Sequence, residues 1–165
     1  MHLKCEYGRS KSYRTSDEGF TLVEILITST ILIIVIVGLI QLFIYCSILS
    51  ESTGNLSVAL TEGQAKIEEI RNHDYSLTST DYASSGTPGN KFSLTQVTGK
   101  GVIYINSSNS DLLQVDIVVC WINNQNDRVI GEDLDLDGVL DAGEDVNGNG
   151  RFDSPVTLVT NIAKK

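Results

Sequence analysis

The sequence predicts an α+β protein in which one long N-terminal helix precedes a small antiparallel sheet of about four strands. Three observations lead to this class. A long apolar stretch occupies residues 20–50 near the N-terminus. An amphipathic helical pattern follows it to about Asn72. Segments of alternating apolar and polar residues, rich in β-branched and aromatic side chains, then fill much of the second half of the chain.

The apolar stretch is long enough to span a membrane. The 26 residues from 25 to 50 contain no Asp, Glu, Lys or Arg, and as a helix they would extend about 39 Å across a hydrocarbon core of about 30 Å. The apolar core of a secretory signal peptide is shorter, roughly 7 to 15 residues. Four basic residues precede the stretch, and the next is Lys66. The positive-inside rule therefore predicts a cytoplasmic N-terminus and an extracytoplasmic chain beyond about residue 50.

The helix is expected to continue outside the membrane with one apolar face. Its apolar residues recur at spacings of 7, 4, 7 and 3, which predicts a stripe against which the sheet packs: Leu49, Leu56, Leu60, Ile67 and Ile70. Gly38, Gly54 and Gly63 are predicted weak points, since glycine costs roughly 1 kcal/mol in a helix interior. Residues 76–91, rich in Ser, Thr and Gly, form a predicted surface loop.

Four later segments form the predicted sheet. They cover residues 91–97, 101–105, 112–122 and 155–163. In the third segment, alternation places four large apolar side chains on one face of the strand: Val115, Ile117, Val119 and Trp121. We expect this face to pack on the helix.

Composition argues against two broad functions. From Phe20 onward the chain has 18 acidic and 8 basic residues, a net charge of about −10, whereas nonspecific nucleic-acid binding requires basic patches. The only histidines are His2 and His73, too few for a zinc cluster, and no nucleophile signature or phosphate-binding glycine loop is present. The sequence therefore predicts neither an enzyme nor a nucleic-acid-binding protein.

Two interpretations are open for the cysteines beyond the N-terminal segment. Cys46 and Cys120 could form a disulfide in an oxidising compartment. They lie in very different predicted environments, however, one near the outer end of the apolar stretch and one in a strand. We therefore favour two small buried apolar residues.

One carboxylate lies inside the apolar stretch, near its start. A carboxylate in a membrane-spanning helix costs on the order of 2.5 to 3.5 kcal/mol near the bilayer centre and less near an interface. Glu24 could therefore simply extend its side chain to the cytoplasmic headgroups. The residues around it favour a second explanation.

Residues 19–27, with the sequence GFTLVEILI, resemble the processing site of type IV prepilins and type II secretion pseudopilins. In that family a membrane peptidase cleaves after the glycine and methylates the new N-terminal residue, which implies cleavage after Gly19 and N-methylation of Phe20. The glutamate at the fifth mature position is the family's hallmark, and Glu24 occupies it. The resemblance implies a leader (residues 1–19), an assembly helix (20–50) and an extracytoplasmic domain (51–165).

The resemblance also implies a role for Glu24. After cleavage, Phe20 carries a positive amine, and a buried charge is tolerated only when it is paired. Glu24 of a neighbouring subunit would pair with this amine, so that filament assembly neutralises both charges. The implied partners are a prepilin peptidase/methyltransferase, other pilin or pseudopilin subunits and the bacterial inner membrane. The domain beyond the membrane would be periplasmic before assembly into a pilus or pseudopilus.

The C-terminal half resembles one branch of this family. Residues 112–130 and 154–163 are similar to the closing hairpin of PilV-type minor pilins. Many family members also have a proline within the apolar segment, whereas this chain has only Pro88 and Pro155. Gly38 is the predicted weak point in its place.

An acidic insert, residues 131–154, separates the last two predicted strands. Eight acidic residues and one basic residue lie in it, and charges at this density repel unless a cation neutralises them. In rows of twelve, the insert repeats the pattern of an EF-hand calcium loop. The first row supplies the ligands and the glycine of such a loop: Asp133, Asp135, Asp137, Gly138, the backbone carbonyl of Val139, Asp141 and Glu144.

The second row matches less completely. It supplies Asp145, Asn147, Asn149, Gly150, the backbone carbonyl of Arg151, and Asp153, but Val156 occupies the twelfth position. We therefore expect one calcium ion in the first row. The second row should form a weaker site, or should receive a further oxygen ligand from the first row. No amphipathic helix leads into the insert, so a structural role is predicted rather than a sensor role. A solvated acidic loop without an ion is the simpler alternative.

A different class of protein would share most of these features. An uncleaved, single-pass membrane protein could display a calcium-dependent adhesive module on the same helix. Only removal of the leader separates the two interpretations. Within the pilin interpretation, the sequence does not distinguish a pilus component from a secretion pseudopilin.

Overall fold

The computed structural model describes residues 19–123 and 127–164. The predicted leader, residues 1–19, lies outside this part except for Gly19. The chain divides into two compact units, Met1–Phe43 and Ile44–Lys165.

Helix α1 runs from Leu22 to Arg71, close to the predicted limits. Thr21 begins it, because its Oγ1 accepts a hydrogen bond from the N–H of Glu24 at 3.2 Å, which satisfies a backbone donor of the first turn. Every residue from 19 to 50 is exposed in the single chain. Within the described residues, α1 is the one helix that could cross a membrane by length and composition.

Five antiparallel strands form one sheet in the second unit, one more than predicted. Their bounds are β1 (Lys91–Ser93), β2 (Gly99–Asn109), β3 (Leu112–Asn123), β4 (Arg128–Ile130) and β5 (Val156–Ala163). Strand β3 is central, because it pairs with β2 along one edge and with both β4 and β5 along the other. The confirmed class is therefore α+β, with a long apolar helix and a small antiparallel sheet.

Strand β1 is shorter than the predicted segment 91–97. The chain turns after Ser93, and the N–H of Leu94 donates to the carbonyl of Gly99 at 3.1 Å. Glu62 of α1 stabilises this turn by accepting a hydrogen bond from the N–H of Thr95 at 2.9 Å. A helix carboxylate therefore supplies the partner that a longer strand would have found in the sheet.

The helix packs on the predicted face of β3 with Ile67 and Ile70 of the predicted stripe, but Ala59 and Gly63 replace the predicted leucines. The buried residues of α1 are Ala59, Gly63, Ile67 and Ile70, and they contact a core that includes Val115, Ile117, Val119 and Trp121. Leu49, Leu56 and Leu60 are instead exposed. Ala59 and Gly63 allow the sheet to approach the helix closely, which the larger leucines would prevent.

Gly63 is therefore a point of close packing rather than the weak point that we predicted. A Cβ atom at Gly63 would lie 2.9 Å from Leu158 Cδ1 and 3.4 Å from Val119 Cγ2. At Gly38 and Gly54, by contrast, a Cβ atom would meet nothing within 4 Å.

The first part of the predicted loop 76–91 belongs to a short helix, α2 (Tyr75–Asp81). Asp74 caps it, because its carboxylate accepts a hydrogen bond from the N–H of Ser76 at 2.9 Å. Thr78 in α2 and Tyr82 after it are buried. The composition of the segment favoured a loop, whereas the cap and this burial favour a helical turn.

A second apolar cluster lies on the outer face of the sheet, where the acidic insert covers this face. Val102, Val118 and Cys120 of the sheet pack against Phe152 of the insert. Cys120 is thus the small buried apolar residue that we predicted, and its thiol is free. Cys46 is also free, so the structure has no disulfide between them, but it is exposed on α1 and our prediction of burial was wrong for this residue.

Candidate functional site

The acidic insert forms two consecutive turns, which we name the first loop (residues 133–144) and the second loop (residues 145–156). In the first loop, Asp133 Oδ2 accepts a hydrogen bond from the N–H of Gly138 at 3.1 Å. Asp135 Oδ1 accepts one from the N–H of Asp137 at 3.1 Å. Gly138 has a φ of 72°, which glycine adopts readily. The chain therefore curls around its own carboxylates.

This curl brings three of the predicted ligands together. One carboxylate oxygen from each of Asp133, Asp135 and Asp137 lies within 4.8 Å of the others. Asp141 and Glu144 lie in the same loop but outside this group of three. Glu144 is buried, and its two oxygens accept hydrogen bonds from the N–H groups of Leu134 at 2.7 Å and Asp141 at 3.1 Å.

Asp133 is the residue whose environment is least favourable without a cation. It is 0% exposed, and its Oδ1 is buried with no hydrogen-bond partner. Burial raises the pKa of the Asp133 carboxyl, and the nearby carboxylates of Glu144, Asp135 and Asp137 raise this pKa further, although the N–H of Gly138 lowers it. A buried carboxylate oxygen without a donor among other carboxylates is an arrangement that a bound cation would stabilise.

Calcium is the cation that these donors fit best. It takes six to eight hard oxygen ligands in flexible geometry, from carboxylates, amides and backbone carbonyls. The first loop supplies carboxylates around a glycine turn, and the unpartnered oxygen of Asp133 would gain a ligand bond. The cation would also reduce the repulsion among the aspartates.

The second loop repeats the hydrogen bonds of the first. Asp145 Oδ2 accepts one from the N–H of Gly150 at 2.8 Å. Asn147 Oδ1 accepts one from the N–H of Asn149 at 3.0 Å, and Asn149 Oδ1 accepts one from the N–H of Arg151 at 2.7 Å. Gly150 has a φ of 75°, like Gly138. The twelve-residue repeat in the sequence is thus a repeat in three dimensions.

The remaining second-loop ligand, Asp153, contacts amides of the same loop. Its Oδ2 accepts hydrogen bonds from the side chains of Asn147 and Asn149, the latter at 3.2 Å. Val156, at the twelfth position, is buried at the start of β5. Its side chain cannot serve as a ligand.

Two residues attach the second loop to the sheet. The Nη1 atom of Arg151 lies 2.6 Å from Oδ2 of Asp116, a buried residue of β3, and its guanidinium group lies 5.2 Å from the centroid of the Tyr104 ring. The N–H of Phe152 donates to the Tyr104 hydroxyl at 3.0 Å. The folded shape of the loop and the outer face of the sheet therefore depend on each other.

The predicted processing site lies at the other end of the described chain. Gly19 and Phe20 precede α1 and are not helical, and the side chain of Phe20 is 76% exposed. Glu24 is in the first turn of α1, where a negative charge is favourable to the helix dipole. The bond between Gly19 and Phe20 is thus accessible in this structure.

Two contributions to these sites were not predicted. The capping role of Thr21 could have been found from the pattern Thr-x-x-Glu before an apolar run, which is typical of a capping box. For Arg151 we predicted only a backbone ligand, whereas its side chain pairs with Asp116. The sequence signal was that Arg151 is the single basic residue among eight acidic ones.

Comparison with known proteins gives one match. The family model described as the prokaryotic N-terminal methylation motif matches residues 14–40. The match includes Gly19, Phe20 and Glu24. No curated protein and no solved structure matches the chain.

Proposed function

Since the N-terminal methylation motif supports a type IV pilin-like or pseudopilin subunit, we propose that the chain is a minor pilin or pseudopilin whose extracytoplasmic domain is stabilised by calcium. The family that this motif marks is structural rather than enzymatic. The subunit would be cleaved after Gly19, methylated at Phe20 and assembled through α1 into a type IV pilus or a type II secretion pseudopilus. The motif match is the observation that carries this proposal.

The environment of the cleavage site supports the processing step. A peptidase requires an extended, accessible segment, and residues 19–21 are not helical. Cleavage there would leave Phe20 only two residues before the start of α1 at Leu22. The new amine would lie beside the first turn of the helix, where Glu24 is located.

The exposed surface of α1 supports the assembly step. Large apolar side chains from Phe20 to Leu49 are exposed in the single chain, among them Ile34 at 67% and Phe43 at 73%. Apolar surface on this scale requires lipid or other protein surfaces to cover it. The inner membrane would cover it before assembly, and neighbouring subunits would cover it in the filament.

Glu24 has two separable roles under this proposal, and a substitution distinguishes them. Both Glu and Gln are suitable at the third position of a helix that begins at Thr21, but only Glu can neutralise the Phe20 amine of a neighbour. We therefore expect Glu24→Gln to be processed normally and to be lost from filaments, whereas Glu24→Asp retains partial incorporation. Incorporation is measured by immunoblotting of sheared filaments.

The control for this experiment is another carboxylate on the same helix. Glu68→Gln removes one negative charge from an exposed ion pair with Arg71 near the end of α1, which contributes little to stability, and should assemble like the unmodified chain. Normal incorporation of Glu24→Gln would contradict ion pairing and limit Glu24 to starting the helix.

Calcium would stabilise the connection between β4 and β5. The first loop contains the buried, unpartnered oxygen of Asp133, and the second loop is attached to β3 through Arg151 and Asp116. An ion in the first loop would offset the repulsion of its carboxylates in the folded state only. Ligands that bind only the folded state stabilise it by about 2.7 kcal/mol at 100 times the dissociation constant.

Thermal unfolding of the full chain in detergent micelles tests this role. We expect addition of calcium after chelation to raise the melting temperature, with a much smaller effect of magnesium, which requires a more regular octahedral site. An unchanged melting temperature would favour the solvated acidic loop.

A further inference from the structure

We propose that Glu132 provides the acidic ligand that the second loop lacks at its twelfth position. Each loop would then be closed by a glutamate that directly precedes a loop's first aspartate: Glu144 closes the first loop and Glu132 closes the second. This inference rests on the proposed calcium function and assigns one further residue to it.

The first loop shows what a closing carboxylate contacts. Glu144 is at the twelfth position, and its oxygens accept hydrogen bonds from the N–H groups of the second and ninth positions, Leu134 at 2.7 Å and Asp141 at 3.1 Å. These two contacts hold the carboxylate across the opening of the loop. A metal-ligand carboxylate needs such hydrogen bonds to fix its orientation.

Glu132 makes the same two contacts in the second loop. Its Oε1 accepts a hydrogen bond from the N–H of Val146 at 3.3 Å, and its Oε2 accepts one from the N–H of Asp153 at 2.9 Å. Val146 and Asp153 are the second and ninth positions of that loop. The N–H of Glu132 also donates to the carbonyl of Asp153 at 2.9 Å, which fixes the backbone there.

This arrangement uses two adjacent acid pairs. Glu132 and Asp133 are neighbours in the chain, as are Glu144 and Asp145, and in each pair the glutamate contacts one loop while the aspartate begins the other. Val156, the twelfth residue of the second loop, is buried in the sheet. Glu132, which lies two twelve-residue repeats before Val156, therefore takes its place.

An independent feature indicates that a cation belongs in the first loop, next to Glu132. Asp133, the residue directly after Glu132, is fully buried and has an oxygen without a partner, close to Asp135 and Asp137. An ion held by Asp133 in the first loop would also restrain Glu132, which contacts the second loop. The two sites should therefore bind calcium with positive coupling.

Isothermal titration of the full chain in detergent micelles with calcium chloride tests the assignment. We expect two ions per chain without substitution. In Glu132→Gln, the second-loop affinity should fall by at least about 10- to 100-fold, because loss of a group that merely supports a metal ligand already costs this much, and one ion should still bind. Glu144→Gln should instead weaken the first loop.

Two further measurements keep the result interpretable. Glu132→Asp retains the charge on a shorter side chain and should weaken the second site less than Glu132→Gln does. The near-ultraviolet circular dichroism of Trp121, the single tryptophan, reports whether each variant keeps the folded core. Two ions bound with unchanged affinity in a folded Glu132→Gln would overturn the assignment, as would loss of both ions. Absence of calcium binding in the unsubstituted chain would overturn the calcium function itself.

Discussion

Asp133 shows at the scale of one residue why a cation would stabilise the acidic insert. The carboxylate has one oxygen that accepts from Gly138 and one that is buried without a partner. Leaving a buried polar group unsatisfied costs about 1 to 3 kcal/mol, and more for a charged group. Neighbouring carboxylates add to this cost, so the residue destabilises the chain unless it is protonated or bound to a cation.

The first prediction follows from this imbalance. Asp133→Asn replaces the unpartnered oxygen with an amide that can donate to neighbouring carboxylates. We expect it to raise the free energy of unfolding by about 1 to 3 kcal/mol in chelator at neutral pH and to remove stabilisation by calcium. Chemical denaturation followed by Trp121 fluorescence measures both effects.

The pH dependence of this difference has a defined sign. Burial raises the folded-state pKa of Asp133. Protonation of this residue therefore stabilises the folded protein, and this stabilisation is lost as the pH rises through the raised pKa. The advantage of Asp133→Asn should therefore disappear below the ordinary value of 3.8. Asp111→Asn, an exposed control outside the insert, should show neither effect; equal behaviour of the two variants would contradict the account.

At the scale of elements, the contact between α1 and the sheet depends on small residues. A side chain at Gly63 would enter the space occupied by Leu158 and Val119. Gly63→Val should lower the free energy of unfolding by about 1 to 3 kcal/mol through overpacking. Gly54→Val, where nothing lies within 4 Å of an added Cβ, should be neutral or slightly stabilising. Urea denaturation compares them, and equal losses would refute the close approach.

The insert and the outer face of the sheet form a second packing unit. Phe152 is 2% exposed and packs on β2 and β3, so Phe152→Ala should cost about 3 to 5 kcal/mol. Val146 is 82% exposed in the same insert, and Val146→Ala should change stability by less than about 0.5 kcal/mol. Differential scanning calorimetry measures both. A small effect of Phe152→Ala would mean that the insert does not pack on the sheet.

Sequence patterns predicted the main elements but not how they approach each other. The long helix, the inner face of β3 and the repeat of the two loops followed from periodicity, which reports local geometry directly. The helix face was only partly predicted, because Ala59 and Gly63 have little hydrophobicity and matter through their small size. Strand β4 and helix α2 were missed because each is short. Strand β4 pairs with only three residues of β3, and α2 depends on the cap from Asp74.

The candidate site was predicted in a similarly uneven way. Ligand spacing identified Asp133, Asp135 and Asp137, which the structure brings together. Spacing alone did not assign Glu132, because its contacts in the second loop lie 14 and 21 residues away. Contacts between repeats arise from the folded arrangement and have no local sequence signature.

At the scale of the whole molecule, the two ends of the chain have different tasks. The first unit presents an apolar helix surface and the N-terminal methylation motif. The second unit has its own two apolar clusters and the acidic insert. This division fits a pilin-like subunit that is held in a membrane or filament by its N-terminal helix.

Intact-mass spectrometry of the protein purified from membranes tests the central claim most directly. Type IV prepilin processing predicts a chain that begins at Phe20, lacks the first 19 residues and has one added methyl group. Gly19→Val, where an added Cβ meets nothing within 4 Å, should remain unprocessed. A membrane-bound chain that retains residues 1–19 would contradict the account and indicate an uncleaved single-pass anchor.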